Sequence, residues 1–348
     1  MYHVKQEIID WLLEDNNPPV KFLTMSKIIK KTDDVELDKV RSKINSYKPI
    51  NEILQNQIEN SYWFDSHKKH NYKKYLGSYW QLKFLGDMFA NKNKQIENAI
   101  EHIFNTGQTT SGGFSYDGTN SSTIMCLTAN MLKILIYFDY FNDDRTQNAL
   151  EFILKNFADT NGKIRCQPAG LIPSCYMTLP KILHALSTIP NKDQTTRVEK
   201  GIKLCVERLL ENMIYKYIPD KNREFLKANY KVGSQQRIEN RNKILEKEPN
   251  MKKLPKKGWM KFGFPLSYAS DALDSMKALV SANVKLDSNM QDALELIKSK
   301  ATNGKWVNEN KFKSPMYTKI DEYMQESKWI TLHALEVLMY YEGLKIVD

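Results

Sequence analysis

One pattern recurs along this chain and restricts its architecture more than any other. A glycine turn is followed by a bulky residue, a polar loop and a long apolar helix. It runs first from Gly112-Gly113-Phe114 to Cys126-Leu127-Thr128-Ala129-Asn130-Met131-Leu132 and on to Phe138. It returns as Asn161-Gly162-Lys163-Ile164 before Cys175 to Leu186, and as Gly258-Trp259 with Phe262-Gly263-Phe264 before Leu273 to Val280. The last copy is Asn303-Gly304-Lys305-Trp306 before Trp329 to Tyr341. An earlier stretch, Tyr75 to Leu85 followed by Lys94 to Phe104, obeys the same grammar. A repeat of this kind means that each unit buries its apolar face only against its neighbours.

Between the apolar helices lie more polar ones that open on acidic caps. Asp143-Asp144 precedes Asn148 to Phe157, and Asp287 precedes Met290 to Lys300. A helix that is apolar nearly all round is buried on several sides, whereas a half-polar one covers it. The chain is therefore predicted to be all-α, with inner and outer helices alternating as a barrel within a barrel, and strand-like alternation is absent. Met1 to Asp15 reads as one amphipathic helix, with Ile8, Ile9, Leu12 and Leu13 on its apolar face.

At 348 residues the chain is long enough for one large domain or two ordinary ones, and 41% hydrophobic with 26% charged residues is a globular composition. No apolar run reaches membrane-spanning length, since Met131 to Phe141 is broken by Lys133 and Asp139. The start lacks the basic flank and cleavage site of a signal peptide, so a cytoplasmic protein is expected. Four cysteines are too few for a disulfide framework in a chain this large. The net charge of +10 is concentrated between positions 216 and 257, where thirteen Lys/Arg face five Asp/Glu. Such a run serves either as a solvated face or as a surface for an acidic partner such as RNA or anionic lipid.

These motifs resemble the terpenoid-cyclase and prenyltransferase family of α/α toroids. The resemblance rests on the Gly-Gly-Phe turn at Gly112 to Phe114, the Asn-Gly-Lys-Trp turn at Asn303 to Trp306, and Ser327-Lys328-Trp329-Ile330-Thr331-Leu332. It covers the chain from about Gly77 to the end. It implies an α/α toroid over 71–348 with a basic insertion at 216–257; the segment 1–70 before it, with Leu23 to Ile29 and Asp34 to Tyr47, reads by itself as a looser helical extension of HEAT-like type outside the ring. It also implies a central cavity, reached where inner-helix starts collect at one mouth. The catalytic signatures of the family are not carried over. No Asp-x-Asp-Asp run is present, Asp139, Asp143 and Asp144 fall on a hairpin turn, and Cys126 has Ile124 rather than an acid two residues before it.

Within such a ring, distant residues become candidates for one site. Cys126, Cys166 and Cys175 fall at or near inner-helix starts, where they are either core thiols or zinc ligands completed by Asp271 or a histidine. Cys205, flanked by Leu204 and Val206, is expected in the core. His184 and His333 sit within inner helices as core residues or as proton donors and acceptors. His67 and His70 belong to a Lys-rich loop. Asp271 is either a helix cap or a buried acid of raised pKa. Tyr79, Trp80, Tyr116, Tyr176, Trp259, Tyr268, Trp306 and Trp329 collect near the helix starts and are expected to shape an apolar guest or to pack between hairpins. Lys328 and Arg165 would draw an anionic group to the mouth, or lie on the surface.

The expected function is a cavity for an apolar or isoprenoid-type small molecule, with or without an anionic head, and, if catalytic, of lyase, isomerase or transferase type. The alternative is a non-enzymatic scaffold that binds protein, nucleic acid or an anionic surface through its basic insertion.

Overall fold

The computed structural model describes residues 1–64, 71–162, 164–166, 170–172, 175–217 and 254–348, with side chains omitted at 165–166, 170–172 and 217. The described residues are mostly helical, as the repeat predicts. In chain order the helices are α1 (Gln6–Leu12), α2 (Pro18–Leu23), α3 (Asp34–Ser42), α4 (Lys48–Gln55), α5 (Ser78–Asp87), α6 (Lys94–Gly107), α7 (Met125–Tyr137) and α8 (Asp144–Ile153). They continue as α9 (Leu179–Ser187), α10 (Thr196–Glu211), α11 (Ala272–Ser281), α12 (Gln291–Ser299) and α13 (Lys328–Glu342). A π-helical turn, Thr24–Ile28, extends α2.

Nearly all-buried helices, called inner below, alternate with half-polar ones, called outer. Helix α7 buries residues on every side, whereas α6 buries the stripe Ile96, Ala99, Ile100, Ile103 and Phe104 and leaves its other face polar. Three outer helices start on side-chain caps, Asn93 for α6, Asp143 for α8 and Thr195 for α10, each accepting a backbone N–H of the first turn, and Asp287 caps the short turn that leads into α12. Each outer helix packs on the inner helix before it, α6 on α5, α8 on α7, α10 on α9 and α12 on α11. The inner helices also pack in succession, α5 on α7, α7 on α9, α9 on α11 and α11 on α13.

The repeat is equally visible in its turns. Gly112, Gly162 and Gly304 have φ of +88°, +77° and +77°, a region an L side chain rarely adopts. The bulky residue just past the first and last of these turns is fully buried and donates its amide to a threonine of the next inner helix. Phe114 N reaches Thr128 Oγ1 at 2.9 Å, and Trp306 N reaches Thr331 Oγ1 at 3.0 Å.

Two local readings are corrected. Tyr2–Lys5 is a strand, paired in parallel with Leu344–Val347, so the first helix starts only at Gln6. Two more short two-stranded sheets occur, Ile164–Cys166 with Gly170–Ile172 and Lys216–Tyr217 with Leu254–Pro255. Helical periodicity does not reveal a strand whose partner lies at the other end of the chain. The N-terminal segment also shares the core: α2 and its π-turn pack on α13, α4 packs on α5, and one buried cluster runs from Val4 to Leu338. No helix among the described residues is long and apolar enough to cross a membrane.

Candidate functional site

Each inner helix interrupts its apolar surface with polar residues three or four apart, a spacing that puts both on one face. The pairs are Lys83 and Asp87 on α5, Asn130 and Lys133 on α7, Lys181 and His184 on α9, Asp274 and Lys277 on α11, and His333 and Glu336 on α13. Lys27, on the π-turn, joins them.

The charges assemble around three carboxylates. Asp87 pairs with Lys83 of its own helix and with Lys133 Nζ of α7 at 3.1 Å. Glu336 pairs with Lys27 Nζ at 3.0 Å and with Lys277 Nζ at 3.3 Å. Asp274 Oδ1 lies 3.2 Å from His184 Nε2. Burial raises the Asp87 and Glu336 carboxyls, but the paired lysines outweigh it and hold both at about 2. Burial likewise raises Asp274, and His184, Lys181 and Lys83 outweigh it, so this carboxylate too is ionised.

The bases respond the other way. Burial pulls Lys277 down to about 8, with Glu336 opposing and Lys27 and Lys133 assisting. Burial lowers His184 against the pull of Asp274, and lowers His333 well below the usual imidazole range, helped by Lys277. Both shifts favour the uncharged ring. With Asp274 accepting from Nε2–H, the tautomer assigned to His184 leaves Nδ1 as a proton acceptor.

Lys181 has a different task. Its Nζ donates to Met177 O at 3.1 Å, Ala269 O at 2.9 Å and Ser270 Oγ at 2.6 Å. All three ammonium protons are thus engaged, and they tie α9 to the segment entering α11.

The other expected residues divide. Asp271 is the cap of α11: Oδ1 accepts from Asp274 N at 2.8 Å and Oδ2 from Gly263 N at 3.1 Å. Burial and the Asp274 carboxylate nevertheless push it up to about 8, against those two amides, so both expected characters coexist. Tyr79 is buried with its hydroxyl on Ser115 O at 2.9 Å, and Trp329 is stacked on Phe264 at 4.2 Å, both packing roles. Trp306 is fully buried, and its indole N–H donates to Ile297 O at 2.7 Å. Trp259 is buried beneath Lys256, and the Tyr176 hydroxyl accepts from Asn212. Trp80, Tyr72, Tyr116 and Tyr268 form an aromatic group, with Trp80 centroids 5.1 Å from Tyr72 and 6.5 Å from Tyr268. Of these Tyr268 is exposed.

Lys328 does not draw an anion to a mouth. It is held by Glu14 at 2.7 Å and Asn16 at 2.6 Å, and fixes the segment after α1 to the start of α13. Among the described residues no group of three or more His, Cys, Asp or Glu side chains lies close enough to hold a metal ion, so the expected zinc set does not assemble there. Both oxygens of Asp271 are occupied by amides, and burial raises the Cys126 thiol, which disfavours the thiolate that zinc needs. Cys175 precedes α9, and Cys205 is buried in α10 as expected. The side chains of Cys166 and Arg165, with His67, His70 and positions 218–253 of the basic stretch, lie outside the described residues.

The paired charges of the inner helices were missed in the sequence, although their signal is there: the same three- or four-residue polar spacing in five successive apolar helices. No protein-family model matches this chain, and no curated protein matches it.

Proposed function

We propose that the inner helices close into an α/α toroid and that the inside of this ring binds a small anionic molecule. The succession of packing contacts supports closure, because it leads from α5 through α7, α9 and α11 to α13, then to α2, α3 and, through the turn Ile44–Ser46, to α4 and back to α5. The observation that carries the binding reading is the sign of the lining. Lys27, Lys83, Lys133, Lys181 and Lys277 face three carboxylates, and burial favours the uncharged form of both histidines.

The lining groups are also reachable. Protein surrounds Lys133, Asp274 and Lys277, yet their side chains keep 33%, 21% and 22% of their surface open. Open surface on groups that protein surrounds supports a space beside them rather than packed core. Placing hydrocarbon against these lysines would strip their remaining hydration at a cost of several kcal/mol per ion. An isoprenoid-type guest therefore fits here only through an anionic head.

The test is thermal unfolding with sodium phosphate, sodium diphosphate, farnesyl diphosphate and farnesol. Stabilisation by the anions and not by farnesol, lost in Lys133→Met and Lys277→Met, is the expected result. Stabilisation by farnesol alone, or by anions equally in the variants, would remove the reading.

A further inference from the structure

The interior lysines are not spread evenly over the carboxylates. Lys83 and Lys133 share Asp87, and Lys27 and Lys277 share Glu336. Each is a Lys–carboxylate–Lys triad with one positive charge left over. Asp274 adds none, since it is matched by Lys181 within electrostatic reach and hydrogen-bonded to His184. Asp271, turned towards the amides of Gly263 and Asp274, does not face either triad through its oxygens.

Both triads lie within electrostatic reach of the same two histidines. His184 lies within electrostatic reach of Lys133 in one triad and Lys277 in the other. His333 lies within reach of Lys277, Glu336 and Lys27 on one side and Asp87 on the other. Lys133 and Lys277 also repel each other directly. Lys83 is tightly enclosed and Lys27 is the solvent-exposed member of its triad, while Lys133 and Lys277, each with one carboxylate contact among the described residues, are surrounded by protein and keep open surface. An ammonium has three donors, so both retain donors for a guest.

Lys133 and Lys277 repel each other with protein around both, and a ligand carrying one opposite charge for each lowers the cost of holding them together. Resting on the interior-site reading above, we infer that the ligand is a dianion, held with one negative charge at the Lys83–Asp87–Lys133 triad and one at the Lys27–Glu336–Lys277 triad. Phosphate esters, diphosphates and short dicarboxylates share this chemistry. A monoanion satisfies one triad and leaves the other unmatched.

Titration calorimetry on the full chain at fixed ionic strength tests the inference, with chloride, acetate, succinate, phosphate and diphosphate as probes. At least one dianion is expected to bind about tenfold or more tightly than acetate, the gain from one further charge contact. Lys133→Met and Lys277→Met should each reduce that dianion to the acetate level, Lys277→Arg should keep the preference, and Lys328→Met should leave it unchanged. Circular dichroism of each variant verifies folding, and the Arg variant keeps the test decisive if a Met variant unfolds. Equal affinity for acetate and every dianion would overturn the dianion inference while leaving an interior anion site. Binding unaffected by either Met substitution would overturn both, placing the anions on the basic stretch instead.

Discussion

His184 Nε2 and Asp274 Oδ1 stand 3.2 Å apart across two adjoining helices, so a contact between residues 90 positions apart joins α9 to α11. The link is reinforced one turn earlier, where Lys181 holds the carbonyl of Ala269 and the hydroxyl of Ser270.

Asp274→Asn removes the charge while keeping the shape. His184 then loses its carboxylate, and Lys181 its nearest compensating charge. A loss of about 2 kcal/mol is expected from urea unfolding, in line with a broken buried charged hydrogen bond. The His184 proton resonances should report a lower pKa than in the unmodified protein. An unchanged midpoint would show that the pair contributes nothing to the interface.

Acid should weaken the fold in a defined window. Asp87 and Glu336 titrate at about 2 in the folded chain against ordinary values of 3.8 and 4.5, so the unfolded chain takes up protons first as pH falls. Their contribution is complete above about pH 5 and is lost as pH drops from 4.5 towards 2. Denaturation midpoints across that range should fall steeply, and less steeply in Asp87→Asn and Glu336→Gln. A parallel decline in both variants would assign the acid sensitivity elsewhere.

Asp271 works in the opposite sense. Its folded pKa of about 8 exceeds the ordinary 3.8, so between these values the folded chain keeps a proton that the unfolded chain releases, and stability falls as pH rises. Asp271→Asn, which still caps α11, should flatten this decline and equal or exceed the unmodified protein at pH 8. Asp271→Ala should instead lose the cap, at a cost of about 1 kcal/mol. Identical pH profiles for the Asn variant and the unmodified protein would show that the buried carboxyl stays ionised.

The first repeat turn offers a steric test. A Cβ on Gly112 would lie 2.3 Å from the carbonyl oxygen of Asn148, at a φ of +88° that already disfavours any side chain. Gly112→Ala is expected to cost more than about 1 kcal/mol. Gly258→Ala, where no atom of the described residues lies within 4 Å of the added carbon, should be nearly neutral. Comparable midpoints for the two variants would refute the turn's steric role.

Much of the helical framework was legible because it depends on short-range rules. The Asn-Gly turns, the caps at Asp143 and Asp287 and the apolar runs into α7, α11 and α13 each state their structure within a dozen residues. The site was less legible. His184 and His333 looked like isolated polar residues in apolar helices, and Lys133 like an interruption of an apolar run. Each makes sense only beside a charge on another helix.

Local periodicity and turn chemistry alone established that this chain forms helices in which nearly all-buried and half-polar ones alternate, since both act between residues one or two turns apart. Tertiary structure decided which charges meet: that Lys133 completes the Asp87 pair, that Lys27 from the N-terminal segment reaches Glu336, and that Lys328 is held by Glu14. It also decided that Tyr2–Lys5 is a strand, whose partner is Leu344–Val347. Coulombic pairing and strand pairing depend on distance in space, and the packing of helices far apart in the chain sets that distance.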